Sequence, residues 1–436
     1  MEPSSTSIRA HIITMGCAKN EVDSAKMSER LLAAGVKIVD DPASADAIIV
    51  NTCSFIQAAT EESLEMIFDM LDMPNVAGGD SRVIVAGCMP ARYGEDLSES
   101  LQEVKTFVPC SKEDDIVQII FSLFPEKAQS CMPIPDVSNL VAADSPIAYV
   151  KISDGCDRFC SFCAIPYIRG PYGSFTYESI CSEVALQVNR GVKEIVLIAQ
   201  DTGRWGEEFS QEQTLAWLLG KLADEFTGTW FRVMYLEPEG VTDELIECIR
   251  SHENVCSYLD IPFQHVDPQI LRSMNRRGSY EEFAQLIEKL RMAIPDIVLR
   301  TTLIAGFPGE TQEQFELLCD FLEEVQLDYV GVFPYSQEEG TRAATLPGQI
   351  DEQEKIDRAQ MIRDLCDRIS ESLVRQRVGE DLDVLVLGTE EDGQIYGRAM
   401  CQAPEVDGVV YLSQGEPGDV VRVRIHDSLM YEMEGW

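Results

Sequence analysis

The residues of this chain best suited to chemistry are its cysteines. Fourteen occur in 436 residues, and three of them fall within eight positions, Cys156-Asp-Arg-Phe-Cys160-Ser-Phe-Cys163. Three thiolates so close together, just beyond an apolar strand-like run, suit an iron–sulfur cluster. A 4Fe–4S cube takes four ligands, so three cysteines leave one iron open, and an open position separates a catalytic centre from a closed structural one. A structural zinc site would want a fourth Cys or His nearby, yet the four histidines are His11, His252, His265 and His426. Three further cysteines, Cys17, Cys53 and Cys88, recur 36 and 35 residues apart. Each follows the end of a strand-like run. In a parallel sheet such ends share the edge where open α/β sheets bind ligands. They could converge on a second cluster, again one ligand short, although spacing alone describes buried structural thiols equally well.

The elements that must position these groups follow from periodicity. Residues 8–125 alternate strand-like runs (Ile12–Thr14, Val36–Val39, Ala47–Val50, Val83–Ala86) with helical patterns (Glu21–Ala34, Ile56–Leu71, Asp114–Phe124), which predicts an open, mainly parallel α/β sheet. A proline-marked stretch, 126–146, reads as a linker. Residues 147–376 repeat strand then helix six times, from Ala148–Ile152 to Tyr329–Pro334, and end in a long helix. This predicts a partial (β/α)6 barrel with its chemistry at the carboxyl ends of the strands. In residues 377–436 five short alternating runs are separated by Gly393, Gly408, Gly415 and Gly418. They predict a small antiparallel β-barrel.

Softer signals lie on the central zone. Gly306-Phe-Pro-Gly309-Glu-Thr311 follows its fifth strand and opens a helix. Glycines there let the backbone approach a ligand, and they serve a plain strand-to-helix turn almost as well. The run lacks the lysine of a nucleotide-phosphate loop. Asp201, within Gln200-Asp201-Thr202 at the end of the second strand, is placed for a polar cofactor contact. Cys181, Cys248, Cys319, Cys366, Cys256 and Cys401 suit core filling. No partner spacing singles out Cys110 or Cys131.

Composition sets the class. Hydrophobic residues at 45% and charged residues at 25% are those of a globular protein, which excludes disorder as the main character. No apolar run approaches the roughly 20 residues of a membrane span. The amino terminus has no secretory pattern, so a cytoplasmic protein with reduced thiols is expected. The net charge is −40. Such a surface repels phosphate backbones and draws in basic partners. Solubility, or adaptation of the host to salt, accounts for it equally well.

The Cys156/Cys160/Cys163 spacing on a (β/α)6 zone resembles the radical SAM superfamily. That resemblance implies a 4Fe–4S cluster whose open iron binds S-adenosylmethionine, and one-electron cleavage to a 5′-deoxyadenosyl radical. Met15-Gly-Cys17-Ala-Lys-Asn-Glu-Val-Asp-Ser24, Asn51-Thr-Cys53-Ser-Phe-Ile56 and Ala86-Gly-Cys88-Met-Pro-Ala-Arg-Tyr93 resemble the amino-terminal domain of the methylthiotransferases. With a radical SAM middle and a carboxy-terminal TRAM barrel, the likeness covers nearly the whole chain. It implies that Cys17, Cys53 and Cys88 hold an auxiliary 4Fe–4S cluster whose open iron receives the sulfur to be inserted. It also makes Gly306 and Gly309 part of a wall of the S-adenosylmethionine site. Arg169-Gly170 follows the cluster loop as in the family. Ser174-Phe175 stands where the family usually has Ser-Arg, and Ser54 where it usually has Gly.

Methylthiotransferases act on a tRNA adenosine or on an aspartate of a ribosomal protein. Residues 378–436 carry 13 acidic side chains against Arg398, Arg422, Arg424 and no lysine, a net of −10. A barrel for tRNA should present a basic face; this one should steer a basic protein. Val50-Asn-Thr-Cys-Ser-Phe-Ile56, Ile198-Ala-Gln-Asp-Thr202, Gly397-Arg-Ala-Met400 and Ala403-Pro-Glu-Val-Asp-Gly-Val-Val-Tyr411 look like the protein-modifying branch. That branch β-methylthiolates an aspartate of small-subunit ribosomal protein S-twelve. It uses one S-adenosylmethionine as methyl donor and another as radical source, together with a low-potential electron donor and a sulfur donor. Nucleic acid is then not expected as the direct substrate. The tRNA enzyme is the alternative reading, and a non-catalytic iron–sulfur carrier a third.

Overall fold

The structure is a computed structural model that describes residues 7–135, 145–210 and 212–436. The chain divides into two compact units. The first comprises Met1–Ala142, Gly155–Asp157 and Cys163–Tyr172, and the second Ala143–Asp154, Arg158–Phe162 and Gly173–Trp436.

The first unit is built on five parallel strands, β1 (Arg9–Thr14), β2 (Lys37–Ile38), β3 (Ala47–Thr52), β4 (Arg82–Gly87) and β5 (Thr106–Pro109), in the order β2-β1-β3-β4-β5. Side chains of a strand alternate between faces, and both faces here are covered. Ala47 and Ile49 of β3 join Ile84 and Ala86 of β4 in one core with Met27 and Leu31 of the helix Ala18–Ala33. Ile48, Val50, Val83 and Val85 join a second core with Ile67, Met89 and Leu97. Burial on both faces is why β3 reads as a continuous apolar run.

The sequence reading placed no helix after β4, but the structure has one at Cys88–Ser100. Pro90 and Gly94 disguised it. Proline is tolerated in a first turn, where N–H groups have no intrahelical partner, and Gly94 kinks the helix with φ 51°. Strand β5 and the helix Leu215–Glu225 were also unmarked. The expected linker 126–146 begins with a short helix, Pro125–Ala128, and residues 136–144 lie outside the described ones.

The second unit contains β6 (Ile147–Lys151), β7 (Ser153–Asp154), β8 (Gly173–Ser174), β9 (Glu194–Ile198), β10 (Trp230–Val233), β11 (Val255–Asp260), β12 (Val298–Ala305) and β13 (Tyr329–Pro334). Six of them form an all-parallel sheet, β13-β12-β11-β10-β9-β6. The short strands β7 and β8 pair antiparallel beside it. The long helix Glu352–Gln376 follows.

The remaining strands, β14 (Asp381–Thr389), β15 (Ile395–Ala399), β16 (Val410–Leu412), β17 (Val420–Leu429) and β18 (Glu432–Gly435), close into a barrel. Four pairings are antiparallel and the one between β16 and β18 is parallel. The alternation of Leu429–Met433, the last of the five runs, predicts a single strand. Instead the chain turns there, with Met430 at φ 51° and Leu429 paired to Glu432. No glycine or proline marks that turn.

The barrel is tied to the sheet of its own unit by buried charge. Arg398 of β15 reaches Glu194 of β9 at 2.5 Å, and Arg232 of β10 reaches the same carboxylate at 2.7 Å. Tyr258 of β11 donates to Asp407 at 2.5 Å.

Candidate cluster and cofactor sites

The carboxyl edge of the first unit's sheet collects thiols. Cys17 precedes the helix Ala18–Ala33, three residues past the end of β1, while Cys53 follows β3 directly and Cys88 follows β4 directly. Thr52 is in register with Gly87, so Cys53 and Cys88 leave the sheet side by side. Cys53 and Cys88 are buried and Cys17 is exposed. Gly16 has φ +93°, and a Cβ there would lie 2.4 Å from Cβ of Cys53 and 2.8 Å from its Sγ. Only glycine lets the loop after β1 come this close.

Buried amides fasten this edge. The Asn20 side chain donates to the carbonyls of Met15 (2.8 Å) and Thr52 (3.0 Å), and Asn51 donates to the Asn20 carbonyl (3.0 Å) and to Ser24 Oγ (2.9 Å). Both asparagines stood in the motifs around the cysteines, yet sequence reasoning gave them no role.

Arg169, which follows the cluster-loop helix Ile165–Ile168, completes the arrangement within the same unit. Its guanidinium bonds Asp23 and Asn20, each at 2.7 Å, and points Nη2 at Cys88 Sγ at 3.7 Å. Cys110 directly follows β5, whose Pro109 is in register with Gly87. Its side chain packs against the cluster of Cys88, Ala164 and Ile168. The neighbouring Cys110 thiol pulls the Cys88 thiol below its ordinary range; burial opposes the shift and Arg169 adds to it. Burial pushes the Cys53 thiol up to about 11. Cys131, by contrast, fills the core around Met27.

Among the described residues no three Cys, His, Asp or Glu side chains converge on one metal ion. A cube makes a different demand, because each of its irons takes one thiolate and its ligands stand farther apart. Thiols from adjacent strand ends, with a cation at 3.7 Å from one sulfur, match that donor chemistry.

The second cysteine motif is divided between the units. Cys156 and Cys163 belong to the first. There the Cys156 N–H donates to the Gly170 carbonyl at 3.0 Å. Cys160 belongs to the second unit, where burial raises its thiol and the nearby Arg276 guanidinium works the other way. Around it the backbone is pinned: Ser161 bonds the carbonyls of Met274 and Ser273, and Asn275 bonds those of Arg158 and Phe159. Phe159 sits at φ 50°.

Beside Cys160, at the carboxyl ends of β9 and β10, lie two ion pairs, Arg158 with Asp201 and Arg276 with Glu237. Burial raises both carboxyls, opposed by these arginines. Of the buried polar atoms of this unit with no hydrogen-bond partner among the described residues, four lie at this edge: Ser153 Oγ, Gln200 Oε1, Asp201 Oδ1 and Glu237 Oε2. Such atoms are rare in folded proteins. Here they belong to residues just beyond β6, β9 and β10, the edge at which parallel α/β sheets bind ligands. Asp201 was expected there; Ser153, Glu237 and Arg276 were not, since nothing local in the sequence marks them.

The Gly306–Thr311 loop is tightly held. Gly306 has φ +76°, and its missing Cβ would lie 2.6 Å from Lys355 Cγ. Gly309 donates to Gly348 at 2.9 Å and has open space where its Cβ would be. Glu310 accepts from the Gly306 N–H (3.0 Å) and from Arg358 (2.7 Å).

Comparison with known proteins agrees with this geometry. Residues 9–109 match the Uncharacterized protein family UPF0004, 150–322 the radical SAM superfamily and 378–436 the TRAM domain. Among solved structures, the radical S-adenosylmethionine methyltransferase TsrM from Kitasatospora setae superposes with a TM-score of 0.57 at 11% identity, over 76% of this chain and 72% of its own. The cobalamin-dependent S-adenosylmethionine radical enzyme OxsB gives 0.52 at 13% identity, over 84% of this chain and 56% of its own. These likenesses concern the fold alone; the family match is what places residues 150–322 in the radical SAM superfamily. The chain is also 39% identical to the ribosomal protein uS12 methylthiotransferase RimO of Pelobacter propionicus, over 98% of this chain and 97% of that protein. It is 40% identical to that of Geobacter sulfurreducens, over 98% of each. The chain belongs to the family of ribosomal protein uS12 methylthiotransferases, enzymes that transfer a methylthio group.

Proposed function

We propose that this enzyme places a methylthio group on the β-carbon of one aspartate of ribosomal protein uS12, using two 4Fe–4S clusters and two molecules of S-adenosylmethionine per turnover. Cys156, Cys160 and Cys163 hold the radical-forming cluster, and Cys17, Cys53 and Cys88 the auxiliary one. When bound, these groups supply one-electron cleavage of S-adenosylmethionine, hydrogen abstraction from the substrate carbon and delivery of a methylated sulfur.

The chain's own residues bind and orient. Each set of three thiolates leaves one iron for an exogenous ligand. The four unpartnered buried atoms carry this reading. Asp201 Oδ1, Glu237 Oε2 and Gln200 Oε1 are acceptors beyond strand ends, suited to the ammonium and hydroxyl groups of S-adenosylmethionine. Arg158 and Arg276 hold the two carboxyl groups in place. The loop of Gly306 and Gly309 forms a wall of the same site. Arg169 holds the Cys88 side of the auxiliary cluster. No general acid or base is needed for hydrogen abstraction, and none is assigned.

The protein substrate is supported by the relatives' names and by the barrel's charge of −10, which favours encounter with a basic ribosomal protein over a phosphate backbone. A low-potential electron donor and a sulfur donor complete the reaction, in the cytoplasm. Among the described residues no helix is long and apolar enough to cross a membrane.

The test is the peptide mass of uS12 after incubation with reconstituted enzyme, reductant, sulfide and S-adenosylmethionine. One methylthio group gained on an aspartate is the expected result. Methylthio-adenosine on added tRNA, with uS12 unchanged, would overturn the choice of substrate.

A further inference from the structure

Four neighbouring strands of the first unit's sheet, not three, deliver a cysteine to its carboxyl edge. Cys110 follows β5 as directly as Cys88 follows β4, and the registered pair Gly87 and Pro109 sets the two cysteines next to each other. Adjacent strands run about 4.8 Å apart, inside the ~4.4–6.8 Å between Cα atoms that a disulfide spans. Side-chain packing agrees, since Cys110 packs against the apolar cluster of Cys88, Ala164 and Ile168, together with Ala91. The Arg169 guanidinium lies 3.7 Å from the Cys88 sulfur, on the same edge of the sheet. The function proposed above uses Cys88 and leaves Cys110 without a task.

We infer that Cys88 and Cys110 form a reversible disulfide that withdraws Cys88 from the auxiliary cluster, so that loading of this cluster is governed by thiol redox state. The inference rests on the reading of Cys88 as a cluster ligand. In cluster-free protein exposed to hydrogen peroxide, the Cys88 thiolate attacks one peroxide oxygen. The O–O bond breaks, and the departing hydroxide takes up the proton Cys88 gave up, leaving as water. Cys88 is then a sulfenic acid. The Cys110 sulfur attacks the Cys88 sulfur, the S–O bond breaks, and hydroxide departs with the Cys110 proton as a second water. Two thiols have lost two electrons and the peroxide has become two waters. A thiol reductant reverses the step by exchange. Without Cys110, Cys88 has no resolving partner in this pocket and continues to sulfinic acid, which thiols do not reduce.

The experiment treats cluster-free full-length protein with a slight excess of hydrogen peroxide, alkylates free thiols and maps a digest made without reductant. A cross-link between the peptides of Cys88 and Cys110, lighter by two hydrogens, is expected. Treated protein should then take up iron at the Cys156/Cys160/Cys163 site alone, and dithiothreitol should restore full uptake. Cys110→Ser should load fully before treatment and fail to recover with dithiothreitol afterwards. Free, alkylated Cys88 in treated wild type, a cross-link from Cys88 to Cys17 or Cys53, or full recovery of Cys110→Ser would each overturn the inference. Untreated wild type that takes up only one cluster would instead overturn the auxiliary-cluster reading, because the cross-link is scored independently of iron.

Discussion

Arg398 of the barrel and Glu194 at the start of β9 meet at 2.5 Å, both almost wholly excluded from solvent, and Arg232 holds the second carboxylate oxygen at 2.7 Å. Burial alone would raise the Glu194 carboxyl; the two arginines, Arg398 foremost, bring it below its ordinary value of 4.5. A carboxylate lowered in this way stabilises the fold above the unfolded-state value. That contribution is lost as pH falls through the folded one. Removing one member of a buried ionic group strands the rest, at about 3–5 kcal/mol. Glu194→Gln should therefore lower unfolding stability by about that amount at neutral pH. The gap should narrow below about pH 4.5, as the wild type loses its own advantage. Urea unfolding at several pH values measures both.

Cys160→Ala should abolish 5′-deoxyadenosine formation while leaving auxiliary-cluster iron in place. Chromatography of the nucleoside and iron analysis of the same sample test this. Cleavage that persisted would remove Cys160 from the ligand set.

Cys53→Ala should separate the two chemistries. Reductive cleavage of S-adenosylmethionine should continue, with no methylthio group appearing on uS12. Loss of both activities in a folded variant would mean that the two cysteine sets do not act as separate clusters.

Gly16→Ala places a methyl group 2.4 Å from Cβ of Cys53 at a φ of +93°. Strain of this kind costs about 1–3 kcal/mol. Auxiliary iron uptake should fall more steeply than thermal stability, because the displaced atom belongs to the proposed ligand Cys53.

Arg169→Gln removes a cation 3.7 Å from the Cys88 sulfur. Without it the oxidised cluster is favoured, so the auxiliary midpoint potential should become more negative by on the order of 60 mV, a tenfold change for one electron. A redox titration followed by electron paramagnetic resonance reads this shift directly.

Features that depend on neighbours in sequence are legible in the chain itself. Cys17, Cys53 and Cys88 advertise the strand ends they follow. The run Tyr329–Pro334 is a strand with the bounds its alternation suggested. What escaped depends on partners distant in the chain. Arg169 acquires its meaning from Asp23 and Asn20, almost 150 positions away. Glu237 is ordinary until Arg276 folds against it. Helix Cys88–Ser100 was hidden because Pro90 and Gly94 break helices in general, whereas here one occupies the first turn and the other the kink.

The alternation of β3 and β4 between two cores also acts as a gauge for the thiols that follow them. A slip of one residue between these strands would carry Cys88 about 3.3 Å along the sheet relative to Cys53. The same slip would exchange the faces of Ile84 and Ala86 with those of Val83 and Val85, forcing each into a core shaped for the other pair. Apolar side chains packed on either face of the sheet thus set the spacing between Cys53 and Cys88. The register of the two cysteines is therefore a property of the cores beneath them, not of the cysteines themselves.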